Sequence, residues 1–125
     1  MAWRIRAIMA LFNFLILVVQ ANSINFIHME SYMVTVHLDK LDEEFWELLP
    51  AHRKIVNDLL IEGVIEMYAI SEDRSSGWIV FHAENQEQVV NIVENFPIRD
   101  YFTFEITGLF ILNNAVSLWP KVHLN

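Results

Sequence analysis

The sequence predicts a small α+β domain of order βαββαβ, with an antiparallel sheet and both helices on one face. Three observations carry that reading. Four short runs are rich in β-branched and aromatic residues. Two stretches with apolar residues at helical spacing separate the first run from the second and the third from the fourth. A polar connection with turn residues, Ser71–Gly77, joins the middle two runs as a hairpin.

The first strand is predicted over Tyr32–Leu38. Asp39 and Asp42 are N-cap candidates for the helix that follows, which carries Phe45, Leu48 and Leu49, then Ile55, Val56, Leu59 and Leu60, at helical spacing. Pro50 is expected to kink that helix or to begin a second segment, and Gly63 suits the position just past its end. Val64–Ile70 and Trp78–Ala83 read as the paired strands. Asn85 caps the second helix, with Gln88 completing a capping-box-like pair, and Pro97 ends it. Phe102–Leu112 reads as the last strand. The ferredoxin-like βαββαβ sandwich therefore spans residues 32–112, and residues 113–125 form a tail without period.

The N-terminus has two open readings. Arg4 and Arg6 precede an uncharged run, Ala7–Val19, and then Val19-Gln20-Ala21. That is the layout of a signal peptide over residues 1–21, and the run is short for a membrane span, which needs about 20 residues. Export to the periplasm or exterior would follow. The other reading is a start codon assigned too early, since Met29 and Met33 both precede the first strand, and the domain would then be cytoplasmic.

Composition narrows the function. The net charge of −8 opposes phosphate backbones, so nucleic-acid partners are not expected. Without cysteine there is no thiolate chemistry and no Cys-based zinc site. No His-x-x-x-His spacing points to a metal, and no glycine-rich phosphate loop or nucleophile elbow occurs. An apolar content of 54% exceeds the roughly 45–50% of an average soluble domain. A domain this small gains stability from dimerisation.

Side chains alternate across a strand. One register is apolar, with Val34 and Val36, then Ile65, Met67 and Ala69, then Phe81 and Ile106, and is assigned to the helix side. The opposite register mixes rings with ionisable groups: Thr35 and His37, Glu66 and Tyr68, Trp78 and His82, and Glu105. Such a mixture fits either a half-buried ligand cavity closed by a second copy of the chain or an ordinary wet dimer interface.

The stretch Pro97-Ile-Arg-Asp-Tyr101-Phe-Thr-Phe-Glu105-Ile106-Thr107-Gly-Leu109 resembles the C-terminal signature of the muconolactone isomerase family. Gly63, Arg74 and Phe81 fall in register with that family, and the resemblance covers Met33 to Leu109. It implies a dimeric α+β barrel that assembles further, and a cofactor-free isomerase that shifts a double bond in a small unsaturated acid or lactone. Thr35 stands where that enzyme carries a carboxylate, which points to a relative with its own substrate.

Such a shift needs a group that takes a proton from carbon and returns it elsewhere. Glu105, within the signature, is the first candidate, with His37 and His82 as further acids or bases. Glu66, Tyr68, Trp78 and Tyr101 are candidate substrate contacts. Arg74 is placed to grip a substrate carboxylate. Each has a plainer alternative: Glu105 bonded to Tyr101, the histidines satisfied in an interface, Arg74 a solvated loop charge beside Asp73. His52 and Arg53, near Pro50, read as helix-surface residues. The functional alternative to the isomerase is a non-catalytic dimer that binds a ligand or only assembles.

Overall fold

A computed structural model of the protein describes residues 28–115 together with Arg6 and Met9. The leader expected over residues 1–21 and the tail beyond Ala115 lie outside the described residues. Among the described residues no helix is long and apolar enough to cross a membrane.

The elements run β1 (Glu30–Leu38), α1 (Glu43–Ile61), β2 (Ile65–Ile70), β3 (Ser76–Ala83), α2 (Gln86–Glu94), a single 3₁₀ turn (Arg99–Tyr101) and β4 (Phe102–Leu109). The sheet is antiparallel in the order β2-β3-β1-β4, so β1 and β3 are central. This arrangement is compatible with a ferredoxin-like fold.

Local chemistry explains the boundaries. Asp42 caps α1, its Oδ1 accepting from the Phe45 N–H at 3.0 Å, and Glu43 and Glu44 suit the positive end of the helix dipole. Gly63, at φ 75°, takes the left-handed turn just past the helix. Asn85 Oδ1 accepts from the Gln88 N–H at 2.9 Å, and Gln88 Oε1 accepts in return from the Glu84 N–H at 2.9 Å. Pro50 does not divide α1. The helix continues through it, and the proline sits exposed to water. β4 ends three residues sooner than the sequence suggests, where Phe110 turns out fully into solvent.

The core lies between the sheet and the two helices. Val34, Phe81, Ala83, Val89 and Val93 have no exposed surface, and Val36, Phe45, Val56 and Phe102 are nearly as enclosed. The apolar register of β1 and β3 is therefore under the helices, as alternation requires, and Ile106 of β4 packs against the same core.

β2 follows the expected alternation at Ile65 and Glu66 only. Ile65 pairs with Phe81, but Met67 pairs with Val80, Tyr68 with Ile79 and Ile70 with Gly77. The extra residue is a β-bulge, which sets two residues against one and reverses the faces beyond it. Tyr68 and Ile70 thus join the helix side, whereas Met67 and Ala69 face away from the helices. Their assignment from sequence alternation is corrected accordingly.

Gly77 provides a test of this packing. A Cβ there would lie 2.8 Å from Ile70 Cδ1 and 3.3 Å from the Ala69 carbonyl oxygen. Gly77→Ala should destabilise the fold by about 1 kcal/mol in urea denaturation, because the exposed Ile70 tip can move aside while the Ala69 carbonyl cannot. Gly108→Ala, whose Cβ would meet only Tyr32 Cε1 at 3.9 Å, should be close to neutral.

Candidate functional site

A cavity of about 420 Å³ opens between α1 and the sheet, beside the β2 edge. Buried apolar side chains form its floor, among them Val36, Val56, Ile79, Phe96 and Ile98. Its polar lining consists of His52, Arg53 and Asn57 from α1, Tyr68 from β2 and Arg74 from the hairpin.

His52 is the one polar residue in the buried core among the described residues, at 2% exposed. Its Nε2 hydrogen-bonds the Tyr68 hydroxyl at 3.0 Å, and Phe96 stands edge-on to its ring at a centroid distance of 5.0 Å. Nδ1 is buried without a partner. Burial, aided by the neighbouring Arg53 charge, lowers the His52 pKa to about 4. Burial also raises the Tyr68 pKa, partly opposed by Arg53. At neutral pH both groups are uncharged. A neutral imidazole holds one proton and one lone pair, so the pair can pass a proton along the Nε2–hydroxyl bond.

Trp46, Arg53, Asn57, Leu60, Ile70 and Arg74 form an exposed rim. The Arg74 guanidinium lies 5.4 Å from the Trp46 ring centroid. Arg74, at φ 62°, is the one non-glycine residue with positive φ among the described residues.

The structure brings two of the sequence candidates, Tyr68 and Arg74, to this cavity. The others lie elsewhere. Glu105 is exposed on edge strand β4, opposite Thr35, and Trp78 flanks Thr35 from the other side. His37 is exposed between Ser76 and Thr103. These three share the face away from the helices, as alternation predicts, whereas Tyr68 does not. On that same face, His82 Nε2 meets Glu66 Oε2, and His82 Nδ1 meets Ser31 Oγ at 3.1 Å. Glu66 also borders a second hollow of about 360 Å³ beneath Leu112, Asn113 and Asn114. Tyr101 bonds neither Glu105 nor the cavity polar groups; its hydroxyl donates to Asp42 Oδ1 at 2.9 Å and so braces the start of α1.

His52 and Arg53 are not both surface residues, as the sequence suggested. Arg53 is exposed, but His52 is buried. The signal for His52 was present in the helical spacing: Phe45, Leu49, His52 and Val56 recur at intervals of four, three and four, so His52 falls within the apolar stripe. Among the described residues no three histidine, aspartate or glutamate side chains converge on a metal position.

No protein-family model matches the chain, and no curated protein matches it. The fold and the cavity define its class: a small α+β domain with a four-stranded antiparallel sheet, enclosing beneath its longer helix a space of small-molecule size with a buried histidine in the wall.

The histidine sets a pH dependence of stability. Its folded pKa lies below its unfolded value, so the unfolded chain binds the extra proton first. The penalty is absent above about pH 6.5 and grows as pH falls toward 4. Urea denaturation at pH 7 and pH 4.5 should give a wild-type loss that exceeds that of His52→Phe by roughly 2 kcal/mol. Equal losses in the two proteins would place His52 in water.

Proposed function

We propose that the protein is a cofactor-free, small-molecule enzyme that moves a proton on a small unsaturated acid or lactone within the cavity beneath α1. The observation that carries this reading is the neutral His52 bonded to the Tyr68 hydroxyl in the wall of an apolar cavity. The similarity of Pro97–Leu109 to the muconolactone isomerase signature supports the reaction class.

In this reading Tyr68 is the group that meets the substrate. Its hydroxyl oxygen takes a proton from the acidic carbon next to the carbonyl as its own proton passes to His52 Nε2. The products are a dienolate and an imidazolium, with no net gain or loss of protons. The steps reverse at the far carbon of the conjugated system, and the double bond has moved. Burial favours the neutral pair at the start, and the substrate's developing negative charge stabilises the imidazolium only while the intermediate lasts. Arg74, at the rim, holds a substrate carboxylate.

The outer sheet face is proposed to meet a second copy of the chain, giving the dimeric α+β barrel. Met67 and Trp78 support this, because both leave large apolar side chains about 40% exposed on that face.

Proton NMR in D₂O with a panel of unsaturated lactones and acids tests the reaction, reading both double-bond migration and deuterium uptake. Tyr68→Phe and His52→Gln should each slow turnover by about 10²-fold or more, while Glu105→Gln leaves it unchanged. Turnover that survives both cavity substitutions would remove this mechanism. Saturable binding without turnover in the wild type would favour the ligand-binding alternative.

A further inference from the structure

The β2–β3 hairpin is held more firmly than a solvent loop requires. The Ser71 N–H donates to the Ser76 carbonyl at 2.8 Å, and the Ser76 N–H donates to Ser71 Oγ at 3.0 Å. The Arg74 N–H closes a turn onto the Ser71 carbonyl at 2.9 Å. Asp73 Oδ1 gathers three donors: Ser71 Oγ at 2.7 Å, the Ser75 N–H at 3.0 Å and Ser75 Oγ at 2.8 Å.

Arg74, the residue inside this cage, has left-handed backbone geometry. Glycine or asparagine adopts that conformation readily, and a long side chain does so at an energetic cost. Such strain persists where the surroundings enforce it, and it concentrates at ligand sites. Here the enforced conformation accompanies a guanidinium that lies over the exposed Trp46 ring at the cavity rim. A guanidinium presents its N–H donors in a planar fork that matches a carboxylate. The chain as a whole carries −8 and repels anions, so uptake of one needs a local cation.

We propose that the Ser71–Ser76 hairpin is an anion-recognition device, in which Asp73 is the positioning residue that holds Arg74 over Trp46 so that the cavity selects ligands bearing a carboxylate. This rests on the reading that the cavity takes a small ligand, and adds to it a residue that never touches the ligand. Hydrogen bonds from Ser71 and Ser75 lower the Asp73 pKa to about 2, so it accepts all three bonds as a carboxylate at any pH where the fold is used.

Benzoate and benzamide, nearly equal in shape and different in charge, provide the test by titration calorimetry on the full chain. The wild type should bind benzoate about tenfold more tightly than benzamide, the ratio expected for one charge-assisted grip. Arg74→Gly should abolish that ratio and melt no lower than the wild type, because the strain is relieved. Asp73→Ala keeps the arginine yet should reduce the ratio severalfold, with benzamide affinity unchanged. A ratio preserved in Arg74→Gly or in Asp73→Ala would overturn the proposal, and so would equal binding of the two probes to the wild type while both still bind. Failure of both probes to bind would instead remove the cavity reading itself, and this proposal with it.

Discussion

The bulge between Ile65 and Met67 turns the second half of β2 over, and the position of the site follows from that turn. Without it, Tyr68 would face away from α1 and His52 would lose the hydroxyl that it bonds at 3.0 Å. A buried imidazole without any partner would then sit among Val56, Phe96 and Ile79 at a desolvation penalty of several kcal/mol. Bulges recur where a sheet must re-aim a side chain. Here it converts an edge strand from a simple core wall into a wall with one hydroxyl in it.

Two local penalties then coincide at one cavity. His52 is neutral and leaves Nδ1 unsatisfied in the interior. Arg74 has a backbone conformation suited to glycine. Neither helps the domain fold. Repacking His52 as an apolar residue would remove a buried polar group, and a glycine at position 74 would relax the hairpin. A small domain with little stability to spare retains such features only where something other than folding depends on them. Their shared address, wall and rim of one 420 Å³ space, is a stronger argument than either alone.

The fold was legible in the sequence because its signals were local and mutually consistent. Caps at Asp42 and Asn85, the left-handed Gly63 and the alternation in β1 and β3 all act within a few residues of where they are read. The bulge was not legible. Glu66-Met67 carries no glycine and no proline, and what fixes it is the pairing with β3, a contact across the hairpin. One unseen residue of offset therefore sent Tyr68 to the wrong face. Arg74 lines a cavity on the helix side of the sheet, whereas the sequence reading set it at the mouth of a pocket on the outer face. His52 was legible and discounted: proximity to Pro50 suggested an exposed, disturbed helix, whereas the spacing from Leu49 and Val56 already required an inward position.

The polar groups on the outer face differ from the cavity pair in one respect that bears on function. Ser31, His82 and Glu66 are already bonded to one another across three neighbouring strands. That network is not fully satisfied, because Glu66 Oε1 is buried without a partner. The cavity pair differs in its setting: a hydroxyl bonded to a neutral imidazole, beside open space. The Ser31 hydroxyl has a further obstacle to chemistry. It lies on central strand β1, paired with His82 on one side and Leu109 on the other, so the nearby backbone N–H groups are engaged in the sheet rather than available to stabilise an oxyanion. The resemblance of that trio to a nucleophilic triad therefore extends to its hydrogen bonds and stops short of the surroundings that such catalysis needs.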